Sequence, residues 1–220
     1  MMPLDSIAVL APQSHPLTRA RFYQLWRKCL AVADSGKTGA AWNVLEQHYN
    51  ADHRHYHNFG HIAHCLEQHD LAAGEMQDPD AVEMAIWFHD VVYKAQARDN
   101  ESRSADLFRN IGSNGFSCAF VDRVRDLILA TIHDHPPAHH DQKFMVDIDL
   151  SSFGLPWHEY LRNSNSIRRE NYGTPEDLYY PAMLRFLKAL LRRPRIFLTD
   201  FFHSRYDHTA RGNIERYLCM

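Results

Sequence analysis

Long apolar runs, a basic stripe and paired cysteines are all missing from this chain of 220 residues, and each absence closes off a class of function. No segment approaches the roughly 20 apolar residues that a membrane helix needs. The apolar stretch Ile7 to Ala11 is too short for the core of a secretion signal and has no basic flank. The 24 Lys and Arg residues, against 27 Asp and Glu, are scattered, so neither a nucleic-acid patch nor a membrane-surface face is expected. Cys29, Cys65, Cys118 and Cys219 lie far apart, without zinc-ribbon or redox spacing. They read as reduced core residues, which favours a cytoplasmic protein. No alternating run is long enough for a strand, and there is no internal repeat or low-complexity linker. The expectation is one all-α domain over 1–220, a size that buries roughly 70% of its unfolded surface. Oligomeric state is not legible.

What is present is helical periodicity and an excess of histidine. Phe22, Leu25, Trp26, Cys29, Leu30 and Ala33 form one apolar stripe, predicting a helix over Arg21 to Ala33. Further helices are expected over Ala41 to Tyr49, from near His57 to Leu71, and over Asn100 to Ile111, stopped by Gly112. Others are expected over Ser117 to His133, Phe144 to Phe153, Tyr179 to Leu191 and Thr209 to Leu218. Asp78-Pro79-Asp80 reads as an N-cap followed by proline at the first helical position. Thr174-Pro175-Glu176-Asp177 resembles a capping arrangement.

The chain has sixteen histidines, several of them clustered. His89-Asp90 sits in Ala85-Ile86-Trp87-Phe88-His89-Asp90-Val91-Val92-Tyr93, where every neighbour is apolar or aromatic. Buried polar groups must be paired or must hold a metal, since leaving them unsatisfied costs several kcal/mol. Adjacent helical residues point about 100° apart and pair poorly with each other, so a third object between them is the natural partner. Upstream, Tyr56-His57-Asn58-Phe59-Gly60-His61-Ile62-Ala63-His64 places His57 and His61 one helical turn apart. Downstream, Asp147-Ile148-Asp149-Leu150 sets carboxylates among apolar residues. Two histidines and two aspartates from three segments make an N/O site that suits a divalent ion such as Mn, Fe, Zn, Mg, Ni or Co, rather than a thiolate-rich structural zinc site.

The order histidine, then His-Asp, then aspartate resembles the HD superfamily of metal-dependent phosphohydrolases, and more narrowly a bacterial group of uncharacterised predicted HD phosphohydrolases. The core of the resemblance runs from about 49 to 154. The stretches Ile167-Arg168-Arg169-Glu170 and Ala210-Arg211-Gly212-Asn213 extend it into a C-terminal helical region over about 155–220. The resemblance implies a helical HD core with C-terminal helices packed against it. It also implies hydrolysis of a small phosphorylated substrate, nucleotides included, by a metal-activated water. Tyr56-His57-Asn58 with His61 is similar to the motif of cyclic-nucleotide phosphodiesterases. That similarity implies His61, His89, Asp90 and Asp149 as ligands and His57 as the proton donor to the leaving oxygen. Asp147 is the alternative to Asp149.

Other candidates carry a bland reading beside the functional one. Glu101 and His133 are candidates for a second metal or for phosphate. Each equally suits a helix end, Glu101 in a first turn and His133 at a C-terminus. Lys94, Arg98, Arg168 and Arg169 are candidates for the phosphate or the pocket mouth, or simply solvated cations. His64 reads as exposed or capping, and Asp134, His135, His139 and His140 as solvated. Two rival functions share the ligand set: a diiron oxygenase and a non-catalytic metal- or nucleotide-binding module.

Overall fold

The computed structural model describes residues 16–31 and 37–220. Ile7 to Ala11 and Ala33 lie outside them. Among the described residues there are ten α-helices and no strand. They are α1 (Pro16–Cys29), α2 (Lys37–Tyr49), α3 (Phe59–Ala72), α4 (Pro79–Phe88), α5 (Asn100–Gly112), α6 (Cys118–Ala130), α7 (His140–Leu150), α8 (Trp157–Glu170), α9 (Glu176–Arg192) and α10 (Asp200–Leu218). Single 3-10 turns follow α3, at Ala73–Glu75, and α7, at Ser151–Gly154.

The hub is α4. Asp78 caps it by accepting from the Ala81 N–H, Pro79 occupies its first turn, and every residue from Ala81 to Phe88 is buried. A helix that is apolar all round can only be a central one. Accordingly α1, α3, α5, α6 and α7 all pack on α4. On the α1 side the contact is aromatic: the Phe22 ring lies 5.5 Å from both Trp26 and Trp87 and 5.8 Å from Trp42. Each such side chain contributes roughly 1.5–3 kcal/mol through burial. The doublet His89-Asp90 therefore emerges at the C-terminal end of the most buried helix in the molecule.

The C-terminal helices α8 and α10 dock on the turn after α7. Asn213 of α10 donates from Nδ2 to the carbonyls of Phe153 (2.9 Å) and Leu155 (2.8 Å). Gly154 faces the Tyr206 side chain so closely that an added Cβ would stand 2.5 Å from the Tyr206 Cβ. Asp207 accepts from the N–H groups of Ile196 and Phe197, and Arg211 grips the carbonyls of Leu191, Arg193 and Pro194. One apolar cluster runs from Phe22 to Ile214 through both regions.

Several local expectations need correction. His57 precedes its helix rather than belonging to it: the N-cap is Asn58, whose side chain accepts from the Gly60 N–H. The helix expected to run to His133 stops at Ala130. The Thr174 arrangement does not cap α9, whose N-cap is Pro175 with no side-chain bond. Only Cys65 of the four cysteines is buried; Cys29 is half-buried, and Cys118 and Cys219 are exposed. No helix among the described residues is long and apolar enough to cross a membrane.

Candidate metal centre

Three helix ends meet at one point. His61 is in the first turn of α3, His89 caps the C-terminus of α4 with Asp90 directly after it, and Asp149 lies in the last turn of α7. His61 Nε2 and His89 Nε2 are 3.2 Å apart. Asp90 Oδ2 is 3.4 Å from His61 Nε2 and 3.1 Å from His89 Nε2. Asp149 Oδ1 is 3.3 and 3.5 Å from the same two nitrogens. Ligands about 2.0–2.2 Å from a shared ion stand about 3.3–3.6 Å from one another in a tetrahedron, and about 2.8–3.1 Å at right angles. The observed spacings span these two ranges, so the four side chains fit a metal ion.

Electrostatics support that fit. The His89 Nδ1–H donates to the Ile86 carbonyl at 2.9 Å, which leaves a lone pair on Nε2 of the neutral ring. That lone pair, a second imidazole and two carboxylates share one largely buried spot. Asp90 and Asp149 also stand at the negative ends of α4 and α7. Such a set needs positive charge at its centre. Without a metal, protons supply it. Burial lowers the pKa of His89, but the Asp90 charge and hydrogen bonds to Asp149 and Asp90 outweigh this and hold it well above the ordinary value. Burial opposes ionisation of both aspartates, yet the histidines, His89 foremost for Asp90 and His133 for Asp149, hold each carboxyl below its ordinary range.

Cys65 lies close by, its Sγ 3.6 Å from His61 Nε2 and 3.8 Å from Nδ1. Near-equal distances place the sulfur beside the ring rather than out along the Nε2 lone pair. Burial, with Asp149 and Asp90 nearby, raises the thiol pKa well above its usual value, and Cys65 with His61 and His89 forms a second, overlapping group that could hold an ion. Asp147, the alternative to Asp149, points elsewhere. Its carboxylate accepts from the N–H groups of Leu198 and Thr199 and from the Thr199 hydroxyl, all at 2.7 Å. Burial pushes it up to about 6 against the pull of those donors. Asp147 is an anchor between α7 and α10.

His57 is held by a residue that the sequence does not flag. Glu170, at the end of α8 and with its side chain fully buried, accepts from the backbone N–H groups of Tyr56 (2.7 Å) and His57 (2.8 Å) through Oε1. Its Oε2 sits 2.6 Å from His57 Nδ1. The His57 ring stacks on Tyr93, 4.2 Å between centroids. Burial alone would lower the His57 pKa; the Asp90 charge and the Glu170 bond overcome it, and the net shift is upward. With Nδ1 taken, Nε2 has no partner among the described residues, on a ring whose centroid is 6.0 Å from that of His61. Arg54 fixes this segment against the doublet. Its guanidinium donates to the carbonyls of His57 (2.9 Å), Asp90 (2.7 Å) and Val91 (2.8 Å).

A cavity of about 250 Å³ opens onto these groups and is lined by His57, Asp90, Glu101, His133 and Asp149 among others. His133 adopts a left-handed backbone (φ 63°) three residues past α6, and its Nε2 lies 3.0 Å from Asp149 Oδ2. Burial, then the charges of Asp90 and Asp149, hold the Glu101 carboxyl above its ordinary range. Lys94 and Arg98 are exposed and do not line the cavity. Neither does Arg168, which is engaged elsewhere: it donates to the Asn171 carbonyl at 2.7 Å and stacks on Tyr179 at 4.7 Å. Arg169 is exposed, as are Asp134, His135, His139 and His140. His64 is neither exposed nor capping: it is half-buried, with Nε2 2.8 Å from a Ser151 hydroxyl that itself donates to the Ile148 carbonyl. Burial and the charge of His61 push its pKa down to about 4.

Comparison with known protein families, characterised proteins and solved structures returned no match. The site must speak for itself.

Proposed function

We propose that this chain is a metal-dependent phosphohydrolase of the HD type, acting on a small phosphorylated substrate. The observation that carries the reading is the pairing of a four-ligand N/O centre with a separate, oriented histidine on the same cavity. A binding module needs the first and has no use for the second.

In this reading His61, His89, Asp90 and Asp149 hold a divalent ion, whose charge polarises a phosphoryl oxygen and acidifies water. His57 carries a proton on Nε2, kept there by Glu170 behind it, and delivers it to the departing alkoxide. Tyr93 and Arg54 keep the His57 ring and loop in place, so the donor does not have to be ordered during the reaction. Asp149, bound through Oδ2 by His133, keeps Oδ1 on the ligand side. Exposed thiols at Cys118 and Cys219 suit a reducing, cytoplasmic setting.

Two alanine variants test this reading. His61→Ala removes a ligand, so metal content by elemental analysis and phosphoesterase activity should both fall. His57→Ala should keep its metal while turnover drops roughly 10²–10⁴-fold, the usual contribution of a positioned general acid. The loss should shrink on nitrophenyl esters, whose leaving group scarcely needs a proton. Equal losses on activated and alkyl esters would remove His57 from the donor role, and a metal-loaded protein inert toward every phosphoester would end the reading.

A further inference from the structure

The cavity at the metal centre has two unlike halves. One carries the ligands and His57. The other is an aromatic wall in which Phe153, Tyr160, Phe186 and Tyr217 are in ring contact, with Tyr179, which Arg168 stacks on, and three aliphatic side chains beside them. Phe153 and Tyr160 meet with centroids 5.8 Å apart, Tyr160 and Tyr217 at 5.8 Å, and Phe153 and Phe186 at 6.2 Å. Phe186 also lies 6.1 Å from the His133 ring, so the wall reaches the catalytic half.

What the wall leaves out is equally informative. Among the described residues, no lysine, arginine, asparagine or glutamine lines this cavity. Its two aliphatic hydroxyls have already spent their protons, Ser164 on the Tyr160 carbonyl and Thr131 on the Ile128 carbonyl. A second or third phosphate would enter beside Asp90, Glu101 and Asp149, where the ion and His57 already serve the first phosphoryl group and no Lys or Arg lines the cavity. Apart from the phenol groups of its tyrosines and the carboxylates beside the ligands, the wall offers a polyol little but ring faces and aliphatic carbon. Guanidinium groups line two adjoining cavities instead: one of about 460 Å³ with Arg193 and Arg195, which shares only His133 with this one, and one of about 320 Å³ with Arg162, which shares only Tyr56. At about 250 Å³ the reactive cavity is below the usual size for drug-like ligands, so its occupant is small.

We infer that the substrate is a phosphoester with one phosphoryl group on a compact, uncharged, ring-bearing alcohol. This rests on the phosphohydrolase reading and narrows it: the phosphoryl group goes to the ligand half and the flat group lies against the aromatic wall. Hydrolysis breaks the P–O bond to the alcohol, water supplies the new oxygen on phosphorus, and His57 returns a proton to the leaving oxygen.

The test uses the full-length protein loaded with Mn²⁺ and substrates with similar alkoxide leaving groups. Benzyl phosphate should exceed glycerol 3-phosphate in kcat/KM by at least about tenfold, the effect of burying part of one ring, and ATP should be a poorer substrate still. By calorimetry, benzylphosphonate should bind correspondingly tighter than methylphosphonate, and Phe186→Ala should erase most of that difference. Glycerol 3-phosphate or ATP turned over as well as benzyl phosphate would overturn the inference while leaving the phosphohydrolase reading standing. Aromatic walls also suit a quaternary ammonium group, and phosphocholine turned over faster than benzyl phosphate would overturn the uncharged ring. If no ester is cleaved, the phosphohydrolase reading falls. The phosphonate comparison then judges the pocket alone, and equal affinities would sink the aromatic subsite too.

Discussion

At the scale of single residues, the site depends on how one carboxylate sets the state of one imidazole. Three carboxylates raise the His57 pKa: Asp90, Glu170 and Asp149. A metal on Asp90 and Asp149 cancels most of their share, leaving Glu170 as the group that keeps His57 protonated. A general acid works in its protonated form, so on the proposed reading activity should fall as pH rises through the His57 pKa. Glu170→Gln removes the counter-charge and should move that alkaline limb to lower pH. A pH–rate profile of kcat/KM reads this directly, and an unmoved limb would show that Glu170 acts only on the backbone of Tyr56 and His57. Nothing in the local sequence announces Glu170, because its partner lies 113 residues away.

At the scale of elements, the decisive feature is where helices stop. Part of what looks like continuous helix in the sequence is broken at the site: α4 ends at Phe88, α6 at Ala130 and α3 begins only at Phe59. Breaks free His57, Asp90 and His133 from helical directions and let them turn toward one cavity. The hydrophobic pattern marks the helical faces but not these ends, since the apolar run continues past Phe88 into Val91 and Val92. Gly154 shows the same limit. In the sequence it merely follows the helix expected over Phe144 to Phe153, whereas in the fold it is the place where the turn after α7 meets Tyr206 of α10. Gly154→Ala should therefore destabilise by about 1–3 kcal/mol through overpacking. A lowered urea midpoint at unchanged m-value checks it; an unchanged midpoint would mean that α10 can shift freely.

At the scale of the whole molecule, the candidate metal centre joins α3, α4 and α7, so an ion bound there should tie the core together. Metal at about 100 times its Kd should stabilise the fold by about 2.7 kcal/mol, or roughly 5–10 °C in Tm for a chain of this size. Chelation should reverse the shift. At a fixed metal concentration the gain should grow as pH rises up to and through neutrality, because His89, whose pKa stands well above the ordinary value without an ion, must lose its proton to bind one. A thermal scan with and without Mn²⁺ or Zn²⁺ at several pH values measures this, and a gain that is flat with pH would place the ion elsewhere. The all-helical class and the grouping of His61, His89 and Asp90 were legible in the chain, because periodicity and polar groups in apolar runs are local properties. The resemblance already favours Asp149 over Asp147, and the tertiary structure supplies the physical reason: two residues apart on one helix, they face opposite partners, the histidines and α10. The tertiary structure alone placed Glu170 behind His57, withdrew Lys94 and Arg168 from the cavity and built its aromatic wall. Those outcomes rest on contacts between distant segments, and no window of sequence contains both sides of such a contact.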